Sequence, residues 1–153
     1  MMAVFRFRLA TLLNVKEQLE KSAKNELGVA VSRLETEKGR LADIVAEIAT
    51  LGEDFATAVS GQIDTERIKG LRACIAAREA AREKQSDVVK EASRTVDTIR
   101  DRVVTLMKER KILEKLRDKE FEQFRVEGLQ QEQRLADELV TYRGRAGGND
   151  AGG

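Results

Sequence analysis

The sequence contains no proline, no tryptophan and no histidine, one cysteine, and aromatic residues at only 4% of its 153 positions. Each absence excludes something. Loop-rich and sheet-rich folds draw on proline in their turns, so a proline-free chain of this length points to a single helical unit. Without histidine there is no ready acid–base relay near neutral pH. The lone Cys74 can neither form a zinc pair nor close an intramolecular disulfide, which suits a reducing compartment and leaves only a covalent dimer open. Charge of one sign is lacking too: 28 Lys and Arg oppose 27 Asp and Glu. A net charge of +1 sets up no field that would draw in nucleic acid or an anionic membrane. No glycine-rich phosphate loop is present. The expectation is a protein that is not an enzyme and holds no cofactor or metal.

Long hydrophobic runs are missing as well. Residues 1–16 carry Arg6, Arg8 and Lys16 with no acid, imitating a transit peptide, but Thr11 and Asn14 break the apolar stretch. It is too short for a signal-peptide core and far short of the ~20 residues a membrane span needs. We read this end as part of the mature protein, with no direct membrane insertion.

What the chain does have is charge at 36% and the Ala, Glu, Lys, Leu and Arg mixture of long helices. Alternating steps of four and three from Ala23 give Ala23, Leu27, Ala30, Leu34, Glu37, Leu41, Ile44, Ile48, Leu51, Phe55 and Ala58. All but Glu37 are apolar. Such a 3.5-residue repeat keeps one narrow stripe facing a partner helix, so it predicts a coiled-coil seam. Upstream, Leu12, Val15 and Leu19 continue the stripe with steps that imply a stutter near Leu19. The pattern breaks at Ser60-Gly61, with Asp64 or Thr65 placed to cap a second helix. It then resumes through Val89, Ala92, Val96, Ile99, Val103, Leu106, Arg110 and Leu113.

A short connection between two periodic helices makes them antiparallel neighbours. The predicted fold is therefore all-α: an antiparallel two-helix coiled-coil hairpin with a longer C-terminal helix. Helix 1 covers about residues 8–59, a turn 60–63, helix 2 about 64–143, and 144–153 form a disordered glycine-rich tail. Folding about residue 61 or 62 sets residue i near 123 minus i. That places the alanine-rich stretch 76–83 against Leu41, Ile44 and Ile48, with small residues meeting large ones. The arms are unequal, roughly 75 and 120 Å at ~1.5 Å per residue. Residues from Leu116 to Arg143 thus overhang, carrying Leu116, Phe121, Phe124, Leu129, Leu135, Leu139 and Tyr142 without a partner in the hairpin. Gly28, Gly39, Gly52, Gly70 and Gly128 inside the helices suggest flexibility or close contacts.

Other groupings have plain readings. The carboxylate pairs Glu35 and Glu37, and Glu120 and Glu122, sit among bases on helices and read as solvated faces. Cys74 beside the seam reads as a buried small hydrophobe. Arg110 in the seam either snorkels to water or marks where the coil opens. The cluster of Lys108, Arg110, Lys111, Lys115, Arg117 and Lys119 is interleaved with acids, so no nucleic-acid partner is expected. Phe5, Phe7 and Leu9 alternate with Arg6 and Arg8; they staple the helix start, add to an adhesive patch where the N-terminal end meets the overhang, or both.

The residues at the two ends carry a resemblance. Phe5-Arg6-Phe7-Arg8-Leu9, then Leu12-Leu13-Asn14-Val15-Lys16-Glu17 and Ala23-Lys24-Asn25-Glu26-Leu27, resemble the start of the flagellar export protein FliJ family. Lys108-Glu109-Arg110, Glu114-Lys115, Phe121, Glu132-Gln133-Arg134 and Asp137-Glu138-Leu139 resemble its charged C-terminal helix; Ala136 and the glycine-rich tail depart from the pattern. The resemblance implies a stalk or general chaperone of the flagellar type III export apparatus, serving motility and chemotaxis. Its fold would be similar to the stalk subunit of rotary ATP synthases. Its terminal end would enter the pore of a hexameric export ATPase, and its hairpin end would face the membrane-embedded export gate and substrate chaperones. The location implied is cytoplasmic, peripheral at the inner membrane through the apparatus. Where family pattern and unpaired apolar surface coincide, Leu9, Leu12, Leu13, Leu116, Phe121, Phe124, Leu135 and Leu139 are the expected ATPase-facing contacts. The gate-binding aromatics of some members have no clear counterpart here. The equivalent stalk of a virulence injectisome, a self-associating structural coiled coil and a holdase presenting Phe121 and Phe124 are the alternatives.

Overall fold

Two heptad patterns separated by one break become two helices. The computed structural model describes residues 3–149, in which α1 spans Ala10–Ser60 and α2 spans Thr65–Asn149. The two pack against each other as an all-α hairpin, as the periodicity predicts. Among the described residues, no helix is long and apolar enough to cross a membrane.

The turn lies at 61–64. Asp64 caps α2: its Oδ1 accepts from the backbone N–H of Glu66 at 3.1 Å and of Arg67 at 3.4 Å, satisfying two of the orphan donors at a helix start. At its far end α2 is continuous through 144–149, past the expected stop at Arg143. No proline interrupts it and no described glycine takes a positive φ, so nothing in the backbone stops propagation at one hydrogen bond per added residue. Residues 150–153 of the expected tail lie outside the described residues.

The chain divides into two compact units, Leu19–Thr105 and Met1–Gln18 with Leu106–Gly153. In the first, all eleven predicted seam positions from Ala23 to Ala58 are buried or half-buried. Ala30, Leu34, Ala92 and Val96 form its core, with Leu27, Val89 and Ile99 packed on them. Small Ala30 and Ala92 let the backbones approach, and the larger side chains interdigitate beside them. Polar pairs mark the register. Glu47 meets Arg78 at 3.0 Å, Gln85 reaches Glu37, and Glu26 pairs with Arg102. Each partner falls within about five positions of the one that folding about residue 61 or 62 assigns.

Glu37 is more than a tolerated exception in the seam. Gln85 Nε2 donates to its carboxylate at 2.6 Å and to its carbonyl at 3.0 Å, and an Arg40 guanidinium N–H donates at 3.0 Å. Gln85's hydrogen bond, with the nearby Arg40 and Arg33 charges, holds the Glu37 carboxyl below the usual carboxylate range despite its burial. The expectation of a solvated face therefore holds for exposed Glu35 and fails for Glu37.

Three further expectations are corrected. Ala76, Ala77 and Ala80 are exposed, and the inward positions of that stretch are Ile75, Arg78 and Ala81. Arg78 holds the inward place because its stem packs while its head reaches Glu47. Cys74, one position before Ile75, is exposed, because an integral shift of one residue turns a side chain about 100° round the helix. Finally, a Cβ at Gly28, Gly39, Gly52, Gly70 or Gly128 would meet nothing within 4 Å, so no close contact explains these glycines.

The upstream stripe is also different. Leu12, Val15 and Leu19 are exposed, whereas Leu13 and Glu20 are buried and Leu9 and Lys16 half-buried. Leu9, Leu13, Lys16, Glu20 and Ala23 keep the four-three rhythm unbroken, so there is no stutter. Two of those inward places are charged, which is why hydropathy alone selected the wrong face.

Candidate functional site

The unit of Met1–Gln18 with Leu106–Gly153 begins, among its described residues, with 3–9, which lie ahead of α1 outside any helix. Their side chains alternate. Phe5, Phe7 and Leu9 are half-buried, while Val4, Arg6 and Arg8 are exposed, the period of two of extended chain laid on a surface. A turn closes the segment, with the Ala10 N–H donating to the Phe7 carbonyl at 3.1 Å and the Leu13 N–H to the Leu9 carbonyl at 2.9 Å.

The surface beneath this segment is aromatic. The Phe5 ring meets Phe121 edge-on, with centroids 5.2 Å apart and planes at 76°, and meets Phe124 tilted at 5.6 Å and 51°. Both geometries bring a positive ring edge toward a negative face. The expected overhang is therefore partly covered from within the chain: Leu116 and Phe124 are half-buried, and Phe121 keeps 46% exposure. The reason is reach. An extended residue advances about 3.3 Å against 1.5 Å in a helix, so seven residues ahead of α1 pass over roughly fifteen of α2.

Past Phe124 the cover thins. Leu129, Leu135, Leu139, Val140 and Tyr142 are all exposed, Leu135 and Leu139 at 61% and 60%. Phe121, Phe124, Gly128, Glu132, Leu135, Leu139 and Tyr142 follow steps of three, four, four, three, four and three, which keep them on one side of the helix. Leu135, Leu139 and Tyr142 border an open groove of about 690 Å³, flanked by Asp137, Glu138 and Arg145. A second groove of about 530 Å³ runs between Ala3 and Phe124, Gly128, Leu129 and Leu135. Exposed Leu135, Leu139 and Tyr142 on that side mark a contact surface more than a solvated helix.

Ion pairs surround the apolar row. Arg125 forks onto Glu122, Nε at 3.1 Å from one oxygen and a terminal nitrogen at 2.5 Å from the other. That hydrogen-bonded pairing lowers the Glu122 carboxyl and raises the Arg125 guanidinium. Lys16 meets Glu109 at 2.7 Å, and half-buried Arg110 meets Glu114 at 2.9 Å. Arg110 thus holds its inward position with its head paired to Glu114, one turn further along α2. Among the described residues no group of three or more Cys, Asp or Glu gathers as metal ligands.

Of the eight residues singled out from sequence, Leu13 is only 5% exposed and belongs to the seam. Leu9 and Leu116 are half-buried, Leu12 is exposed on the outer face of α1, and Phe121 and Phe124 hold Phe5. Leu135 and Leu139 stand free on α2. Tyr142, which the sequence places in the overhang but not among the expected ATPase-facing contacts, continues the same stripe.

The family model for the flagellar FliJ protein matches residues 5–149, from the Phe5 contact through the exposed stripe. The chain belongs to the FliJ family. A FliJ-family chain is a component of the flagellar type III export apparatus, of the structural or chaperone type. The coiled-coil hairpin of this one agrees with that class. No curated protein and no solved structure matches the chain.

Proposed function

We propose that this chain is a non-enzymatic stalk whose apolar end docks in the hexameric ATPase ring of the flagellar export apparatus, linking it to the membrane-embedded export gate and to substrate chaperones. The observation that carries the reading is the stripe of Leu135, Leu139 and Tyr142, exposed along one side of α2 beyond the Phe5 contact. Leu12, Leu116, Phe121 and Phe124 extend the docking face. On this reading the protein works on the cytoplasmic side, held at the inner membrane through the apparatus.

A single hairpin presents different residues to each of six equivalent subunits. Such a contact favours some subunit states over others, and any difference in affinity between states shifts their populations. Binding then raises ring assembly or ATP hydrolysis without the stalk contributing a catalytic group.

The test is ATP hydrolysis by the matched export ATPase with purified stalk added. The wild-type chain is expected to raise the rate, and Leu135→Ala with Leu139→Ala to remove most of the increase at unchanged helix content by circular dichroism. Equal stimulation by the double variant would refute the docking face. Light scattering adds a second arm: a monomer fits the stalk, while a stable dimer that hides the stripe fits the self-associating reading instead.

A further inference from the structure

We infer that residues 3–9 are a displaceable strap that masks the Phe121–Phe124 face in the free chain, and that a partner docking there must first lift it. The inference rests on the stalk reading for the identity of that partner, but the masking itself stands on the geometry. Phe5 touches both rings, Phe5, Phe7 and Leu9 turn inward, and Val4, Arg6 and Arg8 turn outward. The strap lies on the apolar helix face that carries Leu135 and Leu139 further along.

The hold is slight by construction. The hydrogen bonds Ala10 to Phe7 and Leu13 to Leu9 close the turn at the base of the strap and leave its rings as the grip. The seven residues belong to no helix or sheet and regain conformational freedom when released, so lifting costs little and closing is readily reversed. Masking by a weakly held segment lowers the apparent affinity of a competing partner by the fraction of time the face is uncovered. Loosening the strap should therefore tighten partner binding, whereas a strap that formed part of the docking surface would weaken it when trimmed.

The chain has no tryptophan, so Phe5→Trp supplies a single reporter. In the free protein its indole is expected to be several-fold less quenched by acrylamide than in the same chain carrying Phe121→Ala and Phe124→Ala. With 5-fluorotryptophan at position 5, adding the ATPase ring should move its fluorine resonance to the released position. Phe5→Ala should bind the ring at least threefold tighter than wild type, and Phe5→Tyr should return to the wild-type value. Equal quenching with and without the two phenylalanines overturns the masking. Unchanged or weaker ring binding by Phe5→Ala overturns the competition while leaving the stalk reading intact. If no variant binds the ring but the quenching difference holds, the stalk reading fails and the strap remains.

Discussion

The Leu19–Thr105 unit and the unit built from Met1–Gln18 and Leu106–Gly153 use the same helices to opposite ends. In the first, every predicted seam residue is buried or half-buried, and Ala30, Leu34, Ala92 and Val96 cluster as a core. In the second, the helical partner stops at Ala10, a short extended segment takes over, and then Leu129, Leu135, Leu139 and Tyr142 face solvent. The difference teaches that apolar periodicity reports where a helix wants a neighbour. It does not report whether the neighbour belongs to the same chain.

That contrast is sharpest in stability. Leu34→Ala should destabilise by about 2 kcal/mol or more, as large-to-small changes in packed cores do, whereas Leu135→Ala should stay within about 0.5 kcal/mol. Urea unfolding followed at 222 nm separates the two, and comparable losses would break the comparison by showing that the stripe is already covered. A smaller effect of opposite sign comes from glycine. With open space around both positions, Gly28→Ala and Gly39→Ala should each raise stability by about 0.5 to 1 kcal/mol, read as a higher urea midpoint.

The smallest effect is in pH. Glu37's carboxyl is depressed from its ordinary value of 4.5, so its ionised form is favoured by folding. Its contribution is fully present above the ordinary value and fades as pH falls through the depressed one. Between pH 6 and pH 3, Glu37→Gln should therefore flatten part of the stability loss seen in the wild type. An identical pH slope in both proteins would show that Gln85 and Arg40 do not discriminate the charged form.

Much of the hairpin was legible because five consecutive heptads leave only one face to bury. Asp64 was legible as a cap for the same local reason: a short acceptor side chain ahead of a helix can reach its free N–H groups. The stretch from Leu9 to Glu20 was misread because Lys16 and Glu20 occupy inward positions while Leu12, Val15 and Leu19 offer a more apolar stripe beside them. Phase inherited from the later heptads, with Lys16 paired to Glu109, outweighs that local hydropathy. At the candidate site, the alternation of Phe5, Phe7 and Leu9 offered a staple at the helix start, an adhesive patch against the overhang, or both. Its specific seat on Phe121 and Phe124 depends on how far an extended segment travels along a helix, which spacing within one segment does not encode.

The capped bend at 61–64 has a practical corollary for labelling this protein in ring-binding assays. Asp64 anchors the start of α2, and Gly61 and Ile63 just before it are exposed, so a fluorescent tag spliced between residues 61 and 63 leaves the cap in place. A fusion ahead of Phe5 would instead crowd the very rings that a binding assay needs to see, and its readings would report the tag.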